Sequence, residues 1–263
     1  MFERLRNRYV IKGKVVMDAA LHIGSGEESF ERGALVVKDA YGKPYIPGSS
    51  FKGIIRSTVE RIIPYLDGFK TCALIKGADC ATVNEVKMDQ LKERLKGDEE
   101  GEPIDLLCDT CKLFGSTAVA SKVKISDLYV TEPWIGLFEK RDGVGIDRDT
   151  ETSAEGAKFE YEVVPSQTEF NFEMVCENLD EGDKLLLSIG LREMQSGYVS
   201  IGGNRSRGLG AFQLIIDEVA LLNFEDRKSF MDYLASQKLE KIELVDFIEE
   251  GIKYLQQRGG QNA

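Results

Sequence analysis

Four cysteines flank one irregular, charged stretch of the chain, and their thiolates could coordinate a metal ion. Cys108 and Cys111 have the C-x2-C spacing of a zinc knuckle, and Cys72 and Cys80 lie at the other end of the stretch. Four sulfurs complete a tetrahedron without an open position, so the pattern predicts structural zinc. Buried free thiols are the alternative, and Cys176 is predicted to be a core residue.

A second candidate site is SIGGNRSRGLGAF, residues 200–212, which combines four glycines with two arginines. Glycines let backbone N–H groups approach an oxyanion, and guanidinium groups bind one, so the composition favours a phosphate or nucleic-acid contact. The stretch is neither a Walker A motif nor a complete dinucleotide fingerprint. A tight turn between two strands is the alternative, although such a turn needs only one or two glycines.

A third candidate is YIPGSSFKGIIR, residues 45–56, where a Gly-Ser-Ser turn precedes a predicted helix. The free N–H groups at a helix start suit a phosphate, and Lys52 and Arg56 add positive charge one turn apart. Ser49 or Ser50 is predicted to cap this helix, and a proline at position 64 to end it. An ordinary capped helix with a solvated basic face is the alternative.

The charge of the chain is distributed unevenly. The formal net charge is −11, yet residues 1–66 hold eleven basic and seven acidic side chains. A basic face within an acidic protein, or simply a solvated surface, accounts for this count. No apolar run approaches the ~20 residues of a membrane span and no signal peptide is recognisable, so a cytoplasmic protein without membrane contact is expected.

The elements that must position these residues follow an interleaved order. Segments with alternating apolar residues predict strands, and AKFEYEVV and TEFNFEMVCEN are clear examples, while the β-branched residues of YVIKGKVVM predict an early strand. KLLLSIGLREMQ is compatible with a strand or a helix, and residues 139–156 predict a long exposed loop or hairpin. Two amphipathic helices and a disordered end are predicted for the last forty residues. Because strands and helices do not alternate strictly, the order favours an α+β fold.

Taken together, five ordered motifs resemble the RAMP superfamily of CRISPR-associated proteins. They are LHIGSG, GKPYIPGSSFKGIIRS, CDTCKLFGS, RDGVGIDRDTETSAEGAKFEYEVVP and SIGGNRSRGLGAF, and the likeness is strongest to backbone subunits of type III effector complexes. The resemblance implies an RRM-like or ferredoxin-like palm in residues 1–216. It also implies a zinc-containing lid insertion at about 68–112, a β-hairpin thumb at about 138–165, and a helical extension at 217–263.

The resemblance further implies partners and site residues. Such a subunit binds guide RNA and its duplex with target RNA, beside other effector subunits that include copies or relatives of itself. The implied RNA-binding residues are Ser49, Ser50, Lys52, Arg56, Gly202, Gly203, Arg205, Ser206, Arg207 and Gly208. Cys72, Cys80, Cys108 and Cys111 match a zinc site of some members.

Catalysis is the point at which the sequence departs from active members of the family. Those members carry an aspartate ahead of a V-V/I-R-D sequence and cleave target RNA with a divalent cation such as Mg²⁺. Aligning on LVVKD places Gly33 at that position, which predicts binding without cleavage. Glu31 or Glu28 could substitute if the shortened loop is shifted.

Other classes of function are less well supported by the residues. His22 is the only histidine, so the sequence gives little support to a histidine-pair ribonuclease or a Ser-His-Asp triad. His22 is expected to be a packed residue. A guide-processing nuclease of the same family and a small-nucleotide-binding protein that uses the glycine-rich stretch are the remaining alternatives.

Overall fold

The computed structural model describes residues 4–31, 33–97 and 103–259, and the predicted disordered end lies outside these ranges. In chain order the strands are β1 (Asn7–Met17), β2 (Gly24–Ser29), β3 (Gly33–Val36), β4 (Tyr45–Ile46), β5 (Val123–Ile125), β6 (Leu128–Tyr129), β7 (Glu139–Ile146), β8 (Ser153–Val163), β9 (Glu169–Glu177), β10 (Phe212–Asn223) and β11 (Glu240–Ile242). The helices are α1 (Gly48–Ile62), α2 (Glu85–Lys96), α3 (Asp109–Phe114), α4 (Glu181–Gln195), α5 (Arg227–Ser236) and α6 (Leu244–Gly259).

A five-stranded antiparallel sheet with the order β11-β10-β1-β9-β5 forms the centre of the fold. Helix α1 connects β1 to β5, and α4 connects β9 to β10, which gives the βαββαβ arrangement of ferredoxin-like domains. KLLLSIGLREMQ, which the sequence left open, is part of α4, and Asp180 and Asp183 form a capping box at its start. The predicted mixture of strands and helices is confirmed.

The main core lies between this sheet and its helices. The buried residues of β1 are Tyr9, Ile11, Val15 and Met17. Phe51 of α1 contacts Phe172 and Phe212, with ring centroids 5.4 and 5.6 Å away. Phe247 of α6 is fully buried and packs edge-on against Tyr9 at 5.3 Å. The predicted C-terminal helix therefore belongs to the same core as the central sheet.

The opposite face of the sheet is polar and carries ion pairs between neighbouring strands. Arg8 pairs with Glu177 at 2.7 Å, and Lys14 with Glu169 at 3.0 Å. These charges neutralise one another across β1 and β9. The basic residues of the first strand are thus partly used within the sheet, and do not all contribute to a free positive surface.

A second sheet has the order β2-β3-β8-β7 and carries the long polar segment of the sequence. Strands β7 and β8 pair from Glu139↔Val163 to Ile146↔Ser153 and form an antiparallel hairpin, which we call the β7–β8 hairpin. The hairpin joins the rest of the sheet through a parallel pairing of Tyr161 with Ala34 of β3. The segment predicted as a loop or hairpin is therefore a hairpin.

The segment between α1 and α3 folds around a small core of its own. Helix α2 begins after Asn84, whose side chain accepts a hydrogen bond from the Lys87 N–H group, and ends at Gly97 in the left-handed conformation. Leu91 of α2 is buried with Leu106 and the four cysteines of the candidate metal site. The stretch that appeared irregular in sequence thus contains a capped helix.

The start of α1 differs from the prediction. Pro47 is the N-cap residue and no side chain caps the helix, so the expected cap by Ser49 or Ser50 is wrong. Both serines lie one residue or more inside the helix. The helix ends at Ile62, and Pro64 follows in a single 3-10 turn, as its missing N–H group requires.

Candidate functional site

The four cysteines of the first motif meet in one place. Cys72 and Cys80 come from the loops before α2, Cys108 precedes α3, and Cys111 lies within α3. All four are buried, and their sulfur atoms lie within 4.8 Å of one another. The cluster could therefore hold a metal ion.

The surroundings of the cluster fit a thiolate-bound metal. The Cys108 N–H group donates to Cys80 Sγ at 3.4 Å, and the Thr82 hydroxyl donates to Cys111 Sγ at 3.1 Å. Such donors stabilise negative sulfur, and four soft sulfur ligands in a closed, buried site match Zn²⁺. The donor set therefore fits structural zinc by its chemistry.

Protonation in the cluster shows why a cation would matter there. A hydrogen bond from the Cys111 thiol lowers the pKa of Cys108 to about 4, whereas burial raises the pKa of Cys72 to about 11. The Cys108 thiol thus ionises readily, whereas the Cys72 thiol stays protonated. A divalent cation would favour the thiolate form of all four, since metal ligation requires deprotonated sulfur.

Arg56 connects helix α1 to the cysteine cluster. Its Nε donates to Glu60 at 2.8 Å, its Nη1 to the Gly115 carbonyl at 3.0 Å, and its Nη2 to Cys111 Sγ at 3.2 Å. Each guanidinium nitrogen therefore has a partner inside the chain. Contact of Arg56 with RNA stays a prediction.

The first turn of α1 presents the other residues of this candidate site. Ser49 is exposed, and Ser50 and Lys52 are half-buried. Burial lowers the pKa of Lys52, and the nearby Arg56 charge lowers it further. The Gly48 N–H group donates to Asp127 Oδ1 at 2.8 Å, so a carboxylate already occupies part of the positive helix end. Sequence reasoning missed Asp127 because the two residues lie 79 positions apart.

The glycine-rich stretch forms a tight loop, Gly202 to Gly210, which we call the glycine loop. Both of these end residues have positive φ, and an added Cβ would lie 2.3 Å from the His22 carbonyl oxygen at Gly202 and 1.9 Å from that of Ile201 at Gly210. Only glycine fits at either position. Between them, residues 205–207 form an exposed 3-10 turn.

The two arginines of the glycine loop are placed differently. Arg205 is exposed, and its guanidinium makes no hydrogen bond or ion pair with any residue in the described part of the chain. Arg207 lies over the Phe159 ring of β8, with its guanidinium carbon 5.0 Å from the ring centroid. Arg205 is therefore free to bind an anion, while Arg207 already has an aromatic partner.

The glycine loop is attached to the strands around it through His22. The Gly203 N–H group donates to the His22 carbonyl at 2.8 Å, and His22 Nδ1 donates to the Glu162 carbonyl of β8 at 2.7 Å. The His22 ring also packs edge-on against Tyr161 at 5.5 Å. His22, the single histidine, is therefore packed against its neighbours, as expected from the sequence.

The position predicted to distinguish cutting from binding lies at the start of β3. Gly33 has φ +67°, and a Cβ there would lie 2.0 Å from the Glu160 carbonyl oxygen. This backbone therefore has no room for an aspartate. Glu28, near the end of β2, and Glu31, in the β2–β3 connection, are both exposed. Over residues 4–31, 33–97 and 103–259, only the cysteine cluster brings three or more potential ligands close enough to hold a metal by themselves.

Comparison with known proteins identifies the family. The profile of the RAMP superfamily matches residues 18–213, and the chain belongs to that superfamily. The chain is 27% identical over 225 residues to the CRISPR system Cms endoribonuclease Csm3 of Methanocaldococcus jannaschii, with 78% of each chain covered. The resemblance drawn from the five motifs is confirmed.

Two further relatives carry the same name. That of Methanothermobacter thermautotrophicus is 25% identical over 249 residues, covering 80% of this chain and 84% of the relative. That of Enterococcus italicus is 25% identical over 224 residues, covering 83% and 93% respectively. Among the described helices, none has the length and apolar character to cross a membrane.

Proposed function

We propose that this protein is the guide-RNA-binding backbone subunit of a type III CRISPR ribonucleoprotein complex in antiviral defence, acting in the cytoplasm. The observation that carries the proposal is the match to the RAMP superfamily, together with Csm3 relatives aligned over about four fifths of the chain. The βαββαβ sheet and the glycine loop supply a framework and a contact surface for such a role.

The glycine loop is the proposed main contact with the guide backbone. Because Gly202, Gly203 and Gly208 have no side chains, they leave the loop backbone accessible to a phosphate. Arg205 and Ser206 are exposed on its 3-10 turn. Contacts to phosphates and 2′-hydroxyls hold RNA without reading its sequence. Base pairing between guide and target then supplies specificity.

The start of α1 is the proposed second contact. Ser49, Ser50 and Lys52 face solvent at least in part, near the positive end of the helix. The RNA contacts implied by the family resemblance also include Arg56, whose guanidinium nitrogens bond to groups within the chain. Arg56 would therefore contribute to RNA binding chiefly by holding α1 against the cysteine cluster.

Family anatomy assigns names to the remaining parts of the fold. Residues 1–216 would form the palm and residues 217–263 the helical extension, with the lid at about 68–112 and the thumb at about 138–165. The β7–β8 hairpin would be this thumb and would interrupt the guide–target duplex. Copies of this chain or related effector subunits would stack beside it along the guide.

Structural zinc is the proposed cofactor of the lid. Bound by Cys72, Cys80, Cys108 and Cys111, the ion would supply a covalent-like cross-link within a segment whose own apolar core is small. The Arg56 contacts would then transmit the rigidity of the lid to α1.

Cleavage of target RNA is the second candidate function, because all three relatives are named endoribonucleases. The lack of space for a side chain at Gly33 favours binding without cleavage. If the subunit does cut, Glu31 or Glu28 would act together with Mg²⁺ and the RNA phosphates.

The test uses the assembled complex, a guide RNA, and labelled RNA that is either complementary or unrelated to the guide. The proposal expects guide-dependent binding of the complementary RNA that weakens with salt, and no cleavage in Mg²⁺ by complexes built with this subunit. Regular cuts that disappear in Glu31→Gln or Glu28→Gln would establish the nuclease instead. Binding that ignores RNA length would contradict a backbone subunit and favour a small-nucleotide site.

A further inference from the structure

The glycine loop and the β7–β8 hairpin are joined by a closed ring of contacts. On one side, the Gly203 N–H group bonds to the His22 carbonyl, and the His22 ring bonds to the Glu162 carbonyl of β8. On the other side, Arg207 stacks on Phe159 of the same strand. Tyr161 lies between the two connections, with its ring 5.5 Å from that of His22 and 6.0 Å from that of Phe159.

The hairpin is shaped to hold Phe159 in this position. Gly143 of β7 lies directly opposite Phe159, and a Cβ at Gly143 would approach the Phe159 ring to 2.1 Å. The ring therefore lies across the strand at the place where a side chain is missing. The nearly parallel Tyr161 ring, inclined by 17°, supports it from the direction of the hairpin base.

The base of the hairpin is fixed from the other side as well. Glu162 is almost fully buried and forms an ion pair with Lys38 at 2.7 Å. The Lys38 ammonium group also lies over the Phe138 ring, 4.1 Å from its centroid. Relative to this anchored base, the Arg207–Phe159 contact lies further toward the tip. Of the contacts between the glycine loop and the hairpin, it is therefore the one that most constrains the direction of the hairpin.

We propose that Arg207 is a positioning residue that couples the glycine loop to the β7–β8 hairpin, so that RNA bound at the loop fixes the direction of the hairpin. The inference rests on the proposed function, since it takes RNA as the ligand of the loop. Arg205 and Arg207 then divide two tasks that the sequence alone assigns to both. Arg205 binds a phosphate, and Arg207 transmits the position of the loop to Phe159.

The stacked geometry explains why arginine serves this purpose. A planar guanidinium lies flat on an aromatic face and keeps N–H groups at its edge for a second partner, whereas an ammonium group is a compact, strongly hydrated charge. Phosphate contact at that edge would hold the guanidinium against the ring. RNA binding and hairpin order would thereby stabilise each other.

The test is hydrogen exchange of the full-length protein, free and saturated with single-stranded RNA of mixed sequence. The variants are Arg207→Lys, which keeps the charge, and Phe159→Leu, which keeps an apolar side chain. Both should speed exchange of the amides in β7 and β8 by about two- to fivefold in the free protein. RNA should slow this exchange in the wild type and much less in either variant.

Arg205→Lys is the matched control, because it changes the free arginine of the same loop. It should leave hairpin exchange in the free protein as in the wild type, and exchange in α4 should be unaltered in all three variants. A double variant of Arg207 and Phe159 should behave like each single one, since one contact is lost in every case.

The outcomes separate the inference from the function on which it rests. If wild-type protein binds RNA while hairpin exchange is the same with and without RNA, or is the same in the variants, the coupling is overturned and the proposed function stands. If the wild type fails to bind RNA under conditions where it is folded, the proposed function and the coupling both fail. Faster exchange in the variants together with RNA-dependent protection in the wild type supports the coupling.

Discussion

The start of α1 and the glycine loop have similar amino-acid compositions and different structures. Each combines glycine, serine and arginine, and each predicts a phosphate contact. In the structure, Arg56 of α1 has partners for all three guanidinium nitrogens, whereas Arg205 of the loop is exposed without one in the described chain. Local composition thus identifies both segments, but the tertiary neighbours decide which arginine remains available to a ligand.

The cause of the difference is the cysteine cluster. Burial disfavours the charge of Arg56, yet its pKa is raised because Glu60 and Cys111 accept its hydrogen bonds. The Glu60 carboxylate and the Cys111 sulfur thus hold the guanidinium inward beside α1. In the described part of the chain, no carboxylate or sulfur pairs with either arginine of the glycine loop, and Arg207 is held by the face of a neutral ring.

The largest expected effect comes from removing a cysteine beneath α1. Wild-type protein should contain about one zinc ion per chain, and Cys111→Ala should weaken metal binding by more than about a hundredfold, because a ligand and the Arg56 contact are lost together. Metal analysis after dialysis against a moderate chelator measures both. Cys176→Ala is the control, since this buried cysteine lies outside the cluster and should keep the zinc. Equal zinc in Cys111→Ala and wild type would show that α1 is not tied to a metal site.

A smaller effect is expected from the glycines that shape the loop. Gly210→Ala forces a Cβ against the Ile201 carbonyl and should lower the free energy of unfolding by about 3 kcal/mol. Gly208→Ala, with positive φ but open space around it, should lower it by about 1 kcal/mol. Urea unfolding gives both values. Similar losses in the two variants would mean that the loop can shift, and the contrast with α1, which Arg56 ties to three partners, would weaken.

Two arginine variants, the second of which should have the smallest effect on stability, test the comparison directly. Arg56→Ala should lower the free energy of unfolding by about 2 kcal/mol, since buried groups lose a charged partner, with the salt dependence of RNA binding unchanged. Arg205→Ala should leave unfolding within about 0.5 kcal/mol of wild type and reduce the slope of log K against log salt by about 0.7. Salt titrations of RNA binding and urea unfolding, run on both variants, measure the two quantities. If Arg56→Ala changed the salt dependence of RNA binding and Arg205→Ala lowered the free energy of unfolding, the division of roles between the two arginines would be refuted.

The fold class and the family could be predicted because their signals are local or ordered along the chain. Alternating apolar residues marked β8 and β9, and the five motifs follow one another along the chain in the order that the family resemblance requires. The four cysteines also signalled their own proximity, since thiolates in such a pattern share a metal. Each of these inferences needed only residue type and spacing.

The features that escaped prediction depend on partners far away in sequence. Asp127 at the start of α1, and Gly115 as a partner of Arg56, are recognisable only once the chain is folded. The difference between Arg205 and Arg207 arises from Phe159 on another element. Helix α2 is the exception, because Asn84 and Gly97 are ordinary cap signals that the charged surroundings obscured.

The position of β1 between β9 and β10 has a consequence for the synthesis of the protein. Lys14 of β1 and its ion-pair partner Glu169 are 155 positions apart. At ribosomal rates, β1 waits on the order of ten seconds before its first neighbour emerges. During that time both edges of an apolar strand stand unpaired in the nascent chain, and its lysines and arginine are the groups that oppose premature association. The basic side chains that form ion pairs on the finished sheet thus also oppose association of the unfinished chain.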